Sequence, residues 1–367
     1  MVQRITTNGM MTKYKTNLMK SYNNLAKVSE KFTTERNFNS YAESPTKAAQ
    51  AFQLRRNRWN VENQIANSKQ VRHKFQQAWD CLEDTYQDIG VKLGDYSALI
   101  GFNAANAPGR NALGEVMKGA AESVMQTMNA QYGENFIFSG ADGATVPFSW
   151  GQNGEVLYRG HPVDCKAGGA YDAWFKDSIE NEKTFVDLGM GMQEDPNDGK
   201  FIEASGFDTA LNGAEYVGYG YQEVELNDGK TVSVPNNIIS LLNQMGQIFC
   251  DCDPNTGAYD PNKTYTDGNG NQFTGHQMAE ALETGLKNTL NEIHANYVEL
   301  DTRATFVNTN QERLESLDDS MNEQIVSIED IDPVEAITAL MWAQYSYNAA
   351  LRIGTNILSQ SLIDYMN

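Results

Sequence analysis

Aspartate and asparagine alternate along two loops, and these oxygen-bearing residues are the first candidates for chemistry in this 367-residue chain. The positions are Asp251, Asp253 and Asn255 in one loop and Asp267, Asn269 and Asn271 in the other. Ca²⁺ prefers oxygen ligands at such spacing, but a calcium loop needs a bidentate glutamate at its twelfth position. Asn262 and Met278 stand there instead. Turn-forming hydrogen bonds explain both loops better, so we predict no metal site.

The other reactive side chains lack the neighbours that catalysis needs. Four cysteines and four histidines are scattered, and the pair Cys250 and Cys252 has neither the redox nor the zinc spacing. Gly189 and Gly191 do not join a strand to a helix, as a phosphate-binding loop would. The carboxylates of Asp318 and Asp319 belong to a solvated run of charge. The sequence therefore predicts a non-enzymatic protein without catalytic residues or a cofactor.

Long apolar stripes at both ends of the chain are the most informative feature. They repeat at alternating steps of three and four residues, which is typical of coiled coils. The C-terminal stripe is Leu290, Ile293, Tyr297, Leu300, Ala304, Val307, Gln311, Leu314, Asp318, Met321, Ile325 and Ile328. The N-terminal stripe is Met11, Tyr14, Leu18, Ser21, Leu25, Val28 and Phe32. Because such a narrow stripe cannot form a core alone, each end needs a partner helix from its own chain or a neighbouring subunit.

Charge is distributed unevenly along the chain. Residues 1–74 hold 14 of the 28 Lys and Arg residues and four acidic residues, so their net charge is +10, whereas the whole chain carries −20. Nine acidic residues and one base lie in residues 312–335. A basic arm can bind nucleic acid. Complementary charges beside helical stripes favour self-complementary helix packing instead, and polyanion binding stays as the alternative.

Cap and turn signals predict the helices of the N-terminal half. The first helix should cover residues 6–32. Ser44 and Pro45 begin a second helix, whose apolar residues include Phe52 and Trp59 and which should continue to about residue 100. A third helix should cover residues 111–132, after the break at Pro108 and Gly109. The signals at Ser44, Pro108 and Gly109 act on neighbouring residues. They therefore predict where helices begin and end, but not which helices pack together.

Residues 140–275 are dense in glycine, aspartate and asparagine and contain short strand patterns. They include a hairpin around the turn at residues 227–229 and one helix near residues 237–249. The helical pattern resumes near residue 275. Asp332, Pro333 and Glu335 form the start signal of a last helix.

The predicted fold class is therefore mainly α with a β-rich insert. The N- and C-terminal segments should form a long antiparallel helical coiled-coil stem, and the insert a distal mixed β domain. We predict three domains: terminal helices from residues 1–43 and 332–367, a helical stem from residues 44–139 and 276–331, and a variable β-rich outer domain from residues 140–275.

Neither a membrane span nor a secretory leader is predicted. No run of 18 apolar residues exists, and the most apolar stretch, residues 336–363, is interrupted by polar side chains. The first residues lack the apolar segment and cleavage site of a signal peptide. We therefore expect no membrane partner and no ordinary signal-peptide export.

Several short motifs resemble those of the bacterial flagellin superfamily. They are Arg4-Ile-Thr-Thr-Asn8, Pro45-Thr-Lys-Ala-Ala49, Leu54-Arg-Arg56, Phe136-Ile-Phe-Ser-Gly140, Ile331-Asp-Pro-Val-Glu-Ala-Ile337, Tyr347-Asn-Ala-Ala-Leu351 and Ile357-Leu-Ser-Gln-Ser-Leu-Ile-Asp-Tyr365. The last motif and residues 185–191 are similar to hook-associated protein 3, the hook–filament junction group, more than to flagellin itself. Residues 35–41 depart from the family pattern, which has glycine in this turn.

The resemblance implies an extracellular structural subunit of the bacterial flagellum. Such a subunit is exported uncleaved by the flagellar type III apparatus with an export chaperone, and it assembles with like subunits, the other hook-associated protein and flagellin at the hook–filament junction. It needs no nucleic acid. The alternatives are flagellin, the bulk filament subunit, and a coiled-coil adaptor with a basic polyanion-binding arm.

The terminal helices should supply the packing residues and become ordered on assembly, since each lacks a partner until then. The predicted packing residues are Met11, Tyr14, Leu18, Leu25, Val28, Phe32, Ile337, Leu340, Tyr347, Leu351, Leu358, Leu362 and Tyr365.

Overall fold

The computed structural model describes residues 7–87, 108–196 and 201–366, except for the side chains of residues 7, 8 and 356–366. The described chain is mainly helical, with small antiparallel sheets. The helices are α1 (Thr7–Thr34), α2 (Pro45–Asp84), α3 (Arg110–Met128), α4 (Ala170–Asn181), α5 (Gly213–Val217), α6 (Ile238–Cys250), α7 (Gly275–Glu329) and α8 (Pro333–Met366). The predicted continuation of α2 to residue 100 lies outside the described residues.

The strands are short, and most pair with the next strand along the chain, whereas β3 pairs with the distant β9. They are β1 (Gln131–Tyr132), β2 (Asn135–Phe136), β3 (Ser139–Gly140), β4 (Phe148–Trp150), β5 (Val156–Tyr158), β6 (His161–Pro162), β7 (Phe185–Val186), β8 (Phe207–Asp208), β9 (Leu211–Asn212), β10 (Tyr221–Glu225), β11 (Thr231–Pro235), β12 (Thr264–Thr266) and β13 (Gln272–Thr274). The described residues form one three-stranded sheet, β4-β5-β6, and the two-stranded pairs β1-β2, β3-β9, β7-β8, β10-β11 and β12-β13.

The chain divides into two compact units. The terminal unit comprises Met1–Asn63 and Leu314–Asn367, and the central unit comprises Gln64–Arg313. Among the described residues, no helix combines the length and apolar character that crossing a bilayer requires.

The terminal unit is built from two antiparallel helix pairs. Helix α1 packs against α8, and the first part of α2 lies along the last part of α7. Leu314 and Ile325 of the predicted C-terminal stripe are buried here, together with Ala48, Ala51 and Val61 of α2. The stripe therefore faces a partner helix of its own chain.

The central unit has a close contact between α3 and α6 at its centre. A Cβ on Gly114 would lie 2.7 Å from the Cys250 nitrogen, and a Cβ on Gly246 would lie 2.9 Å from the Gly114 carbonyl oxygen. Glycine at both positions therefore lets the two backbones approach each other. Val124, Met117 and the apolar face of α6 complete this part of the core.

Aromatic side chains fill the space between α4 and the small sheets of the central unit. Phe148 and Tyr158 lie 5.1 Å apart, and Phe175 of α4 lies 6.0 Å from Tyr158, measured between ring centroids. The Tyr158 hydroxyl donates to the Phe138 carbonyl at 2.9 Å. This hydrogen bond gives the buried hydroxyl a partner, so the ring can pack as an apolar core group. Desolvation raises the pKa of the Tyr158 hydroxyl.

Most predicted boundaries agree with the structure, and the differences have local causes. The hairpin pairs β10 with β11, and Asn237 caps α6 by accepting from the Ile239 nitrogen at 3.0 Å. Helix α3 ends at Met128 rather than residue 132, because residues 131–132 pair with β2. Helix α4 was not predicted, since its cap residue, Gly169, offers no side-chain signal. The middle segment is thus mixed, with short strands between helices.

Candidate assembly surface

Helix α1 presents one half-buried stripe to α8. Six of the seven stripe positions, all except Phe32, are half-buried, whereas most other side chains of α1 are exposed. Phe32, at the C-terminal end, is 40% exposed. The apolar period of the sequence therefore coincides with the face that α1 turns toward its partner.

Helix α8 meets α1 with small residues. Ala336 and Ala343 are buried, and Gly354 lies directly under the Tyr14 hydroxyl, where a Cβ would overlap it. The rings of Tyr22 and Tyr347 lie 6.1 Å apart. Small residues let the two helices approach closely along this face. Leu340, a predicted packing residue, is half-buried beside it.

The opposite face of α8 is apolar and exposed. Trp342 is 66% exposed and Tyr345 69% exposed. The exposed apolar residues are Val334, Ile337, Met341, Trp342, Tyr345, Leu351 and Ile353. Of the predicted packing residues, Ile337 is 47% and Leu351 39% exposed. The side chains of Leu358, Leu362 and Tyr365 lie outside the described residues. Large apolar side chains exposed at this density on one helix are typical of an interaction surface.

The turns that follow α1 and α7 are joined by main-chain hydrogen bonds. The Asn37 nitrogen donates to the Glu329 carbonyl at 2.7 Å, and the Ile331 nitrogen donates to the Glu35 carbonyl at 3.0 Å. The Asn37 side-chain amide donates to the Asp330 carbonyl at 2.7 Å. Glu35 has a φ of 56°, the left-handed conformation that favours glycine. The glycine-free sequence of residues 35–41 therefore keeps a glycine-like turn.

The start of α8 agrees with its predicted signal. The Val334 nitrogen donates to Asp332 Oδ1 at 2.8 Å, and Pro333 occupies the first helical position. This hydrogen bond gives a partner to one of the free backbone N–H groups in the first turn. Pro333 has no backbone N–H group, so its position needs no partner. The cap directs α8 back along α1.

Arginines of α2 pair with carboxylates of α7 in the terminal unit. Arg58 Nε donates to Asp318 Oδ1 at 2.9 Å and Nη2 donates to Oδ2 at 3.3 Å, and Arg55 pairs with Glu329. The bond to Asp318 raises the pKa of Arg58. Asp318 is one of the two polar entries in the C-terminal stripe, with Gln311, and its side chain here faces an arginine of the neighbouring helix. A cavity of about 160 Å³, partly lined by Tyr41 and Phe52, lies beside this pair.

The aspartate-rich loops form turns. Asp253 Oδ1 accepts from the nitrogens of Asn255 and Thr256 at 2.9 and 2.8 Å, which lowers the pKa of Asp253. Asp267 Oδ1 accepts from the nitrogens of Asn269 and Asn271 at 3.0 and 2.7 Å. These carboxylates are therefore committed to main-chain donors. Within the described parts of the chain, no three His, Cys, Asp or Glu side chains converge as metal ligands would.

No family model and no curated protein matches this chain. Solved structures of flagellar proteins do match it. One, assigned as a flagellar hook-associated protein from Vibrio parahaemolyticus, has 13% identity, covers 79% of this chain and 97% of its own, and has a TM-score of 0.42. Bacillus cereus FlgL has 15% identity, coverage of 77% and 99%, and a TM-score of 0.30. Flagellar hook-associated protein-3 from Legionella pneumophila has 10% identity, coverage of 86% and 99%, and a TM-score of 0.29. The proposal for this chain therefore depends on its own motifs and surfaces.

Proposed function

We propose that this chain is a structural subunit of the bacterial flagellum at the hook–filament junction, needed for filament attachment and motility. The exposed apolar face of α8, with Trp342 and Tyr345, carries the proposal. Exposed aromatics at helical spacing serve as anchors for another protein surface and perform no chemistry. The terminal motifs, which resemble those of hook-associated protein 3, lie on the same helix.

The proposed organisation has three layers. Residues 1–43 and 332–367 form the inner layer that packs in the assembly. Residues 44–139 and 276–331 form an antiparallel coiled-coil stem, and residues 140–275 form the outer domain. The pairing of α1 with α8 and of α2 with α7 supports the first two layers. Assembly then adds partners to faces that a single chain leaves exposed.

The proposed partners are like subunits, the other hook-associated protein, flagellin and an export chaperone. The chain acts outside the cell after export without cleavage, and it is not an enzyme. Neither nucleic acid nor a membrane is part of this function. Binding energy comes from burying the apolar face of α8, at about 25 cal/mol per Å² removed from water.

Paired serine substitutions test the proposal. Trp342→Ser with Tyr345→Ser should abolish filament attachment and swimming in cells that carry the variant instead of the native copy, because both anchors are lost. Tyr171→Ser is the matched control, since Tyr171 is also exposed, at 48%, but lies in the central unit. Circular dichroism should show both variants folded. Normal swimming with the double variant would refute the proposed role of this face.

A further inference from the structure

The terminal unit has a second exposed surface, on α2, that the α1–α8 pair does not involve. Phe52 and Trp59 are each 63% exposed, although the sequence placed them with the apolar residues of this helix. Arg56 stands between them at helical spacing and is also exposed. Residues four and seven apart lie on one helix face, so the three side chains form an aromatic–arginine stripe. Tryptophan and arginine are the residue types most enriched in interface hot spots.

Ion pairs of α2 separate its inner side from this outer side. The neighbouring arginines, Arg55 and Arg58, are engaged with Glu329 and Asp318 of α7. Arg56 forms no ion pair with any residue that the structure describes. The aromatic–arginine stripe therefore points away from the intrachain partner, with a guanidinium that still has all its pairing capacity.

A matching stripe lies on α7 of the same unit. Asp319 and Glu323 are exposed, and Val326 is 46% exposed. The three residues have the same spacing as Phe52, Arg56 and Trp59, and each stripe spans roughly 10 Å at ~1.5 Å per residue. Glu323 has no ion pair or hydrogen bond among the described residues. We name this set the acidic–aliphatic stripe.

We propose that the aromatic–arginine stripe of one copy docks on the acidic–aliphatic stripe of a second copy, with Arg56 paired to Glu323. The inference rests on the proposed function and deepens it by naming a contact between like subunits. The two stripes have opposite charge and equal spacing. Arg56 is the middle residue of the first stripe, and Glu323 is the middle residue of the second. The pair therefore aligns whichever way the two helices run. Phe52 or Trp59 then covers Val326.

A charge swap combined with cross-linking tests the contact. Two differently tagged full-length copies are expressed in the same cells, and a photoreactive phenylalanine replaces Trp59. Irradiation should give cross-links between the two tags, mapped to residues 319–326. Arg56→Glu and Glu323→Arg should each lower the cross-link yield at least about fivefold, because like charges then oppose each other. The double variant should recover most of the yield, since it restores the pair in reverse.

Lys166→Glu is the matched control, because it makes the same charge change at an exposed position of the central unit. Cross-links only within one copy, to another protein or to nucleic acid would overturn the proposal. So would single variants that behave like the control, or a double variant no better than the singles. Any of these results would refute the contact between Arg56 and Glu323. If the Trp342 and Tyr345 variant still loses filament attachment, the proposed junction function remains supported.

Discussion

The two units use their aromatic residues in opposite ways. In the central unit, Phe138, Phe175 and Phe249 are fully buried. In the terminal unit, Trp342 and Tyr345 stand about two-thirds exposed, while alanines fill the contact between α1 and α8. An aromatic side chain stabilises a fold only when it is removed from water. The central unit therefore buries these rings within one chain, and the terminal unit leaves two of its largest apolar groups in contact with solvent.

The largest expected effect comes from removing one aromatic side chain in each unit. Phe175→Ala should lower the free energy of unfolding by about 3–5 kcal/mol, because a buried ring is lost and a cavity remains. Trp342→Ala should change it by less than about 0.5 kcal/mol, as for other exposed positions. Urea unfolding of the isolated chain measures both. Equal losses for the two variants would show that Trp342 is already buried in the monomer. The two units would then not differ in how they use aromatic side chains.

A smaller effect is expected at the contact between α1 and α8. Gly354→Ala should destabilise this pair by about 0.5–2 kcal/mol, because the overlap of the new methyl group with the Tyr14 hydroxyl outweighs the helix propensity that alanine adds. Faster amide hydrogen exchange in α1 would report the loss. In a Tyr14→Ala background the same substitution should stabilise the pair by roughly 0.5–1 kcal/mol, since the overlapping group is gone and only the helix propensity of alanine remains.

Gly119→Ala is the control for that substitution. It lies in α3 with nothing near its added Cβ, so it should stabilise the chain by roughly 0.5–1 kcal/mol through helix propensity. Unchanged exchange in α1 with Gly354→Ala would mean that the two terminal helices do not pack as described.

A pH-dependent effect is expected from a half-buried carboxyl in the central unit. Burial raises the pKa of Asp164 to about 7, and its Oδ1 has no hydrogen-bond partner. The ionised form is therefore disfavoured in the fold: stability should fall as the pH rises from about 4 to 7 and stay lower above that. Asp164→Asn should raise the free energy of unfolding at pH 8 by roughly 1–3 kcal/mol, given ~1.4 kcal/mol per pKa unit and partial solvent access. At pH 4 the gain should nearly vanish, and equal gains at both pH values would exclude this cause.

The helical stripes show how far local patterns reach. Every position of the stripe from Leu290 to Ile328 is buried or half-buried, as its period predicted. Phe52 and Trp59 show the limit. The sequence shows them only as apolar residues of α2, and in the structure Ala48, Ala51 and Val61 are buried while both aromatic rings are exposed.

Helix starts, caps and the period of the stripes followed from neighbouring residues alone, because a proline, an asparagine cap or a three-four repeat acts within one or two turns. The identity of the packing partners did not follow from neighbouring residues. Whether an apolar residue faces its own chain or solvent depends on which helix arrives beside it, and α8 is separated from α1 by some 300 residues of chain. Gly354 under Tyr14, the left-handed Glu35 and the outward rings of Trp342 and Tyr345 were decided by those long-range contacts, since close approach and burial exist only in three dimensions.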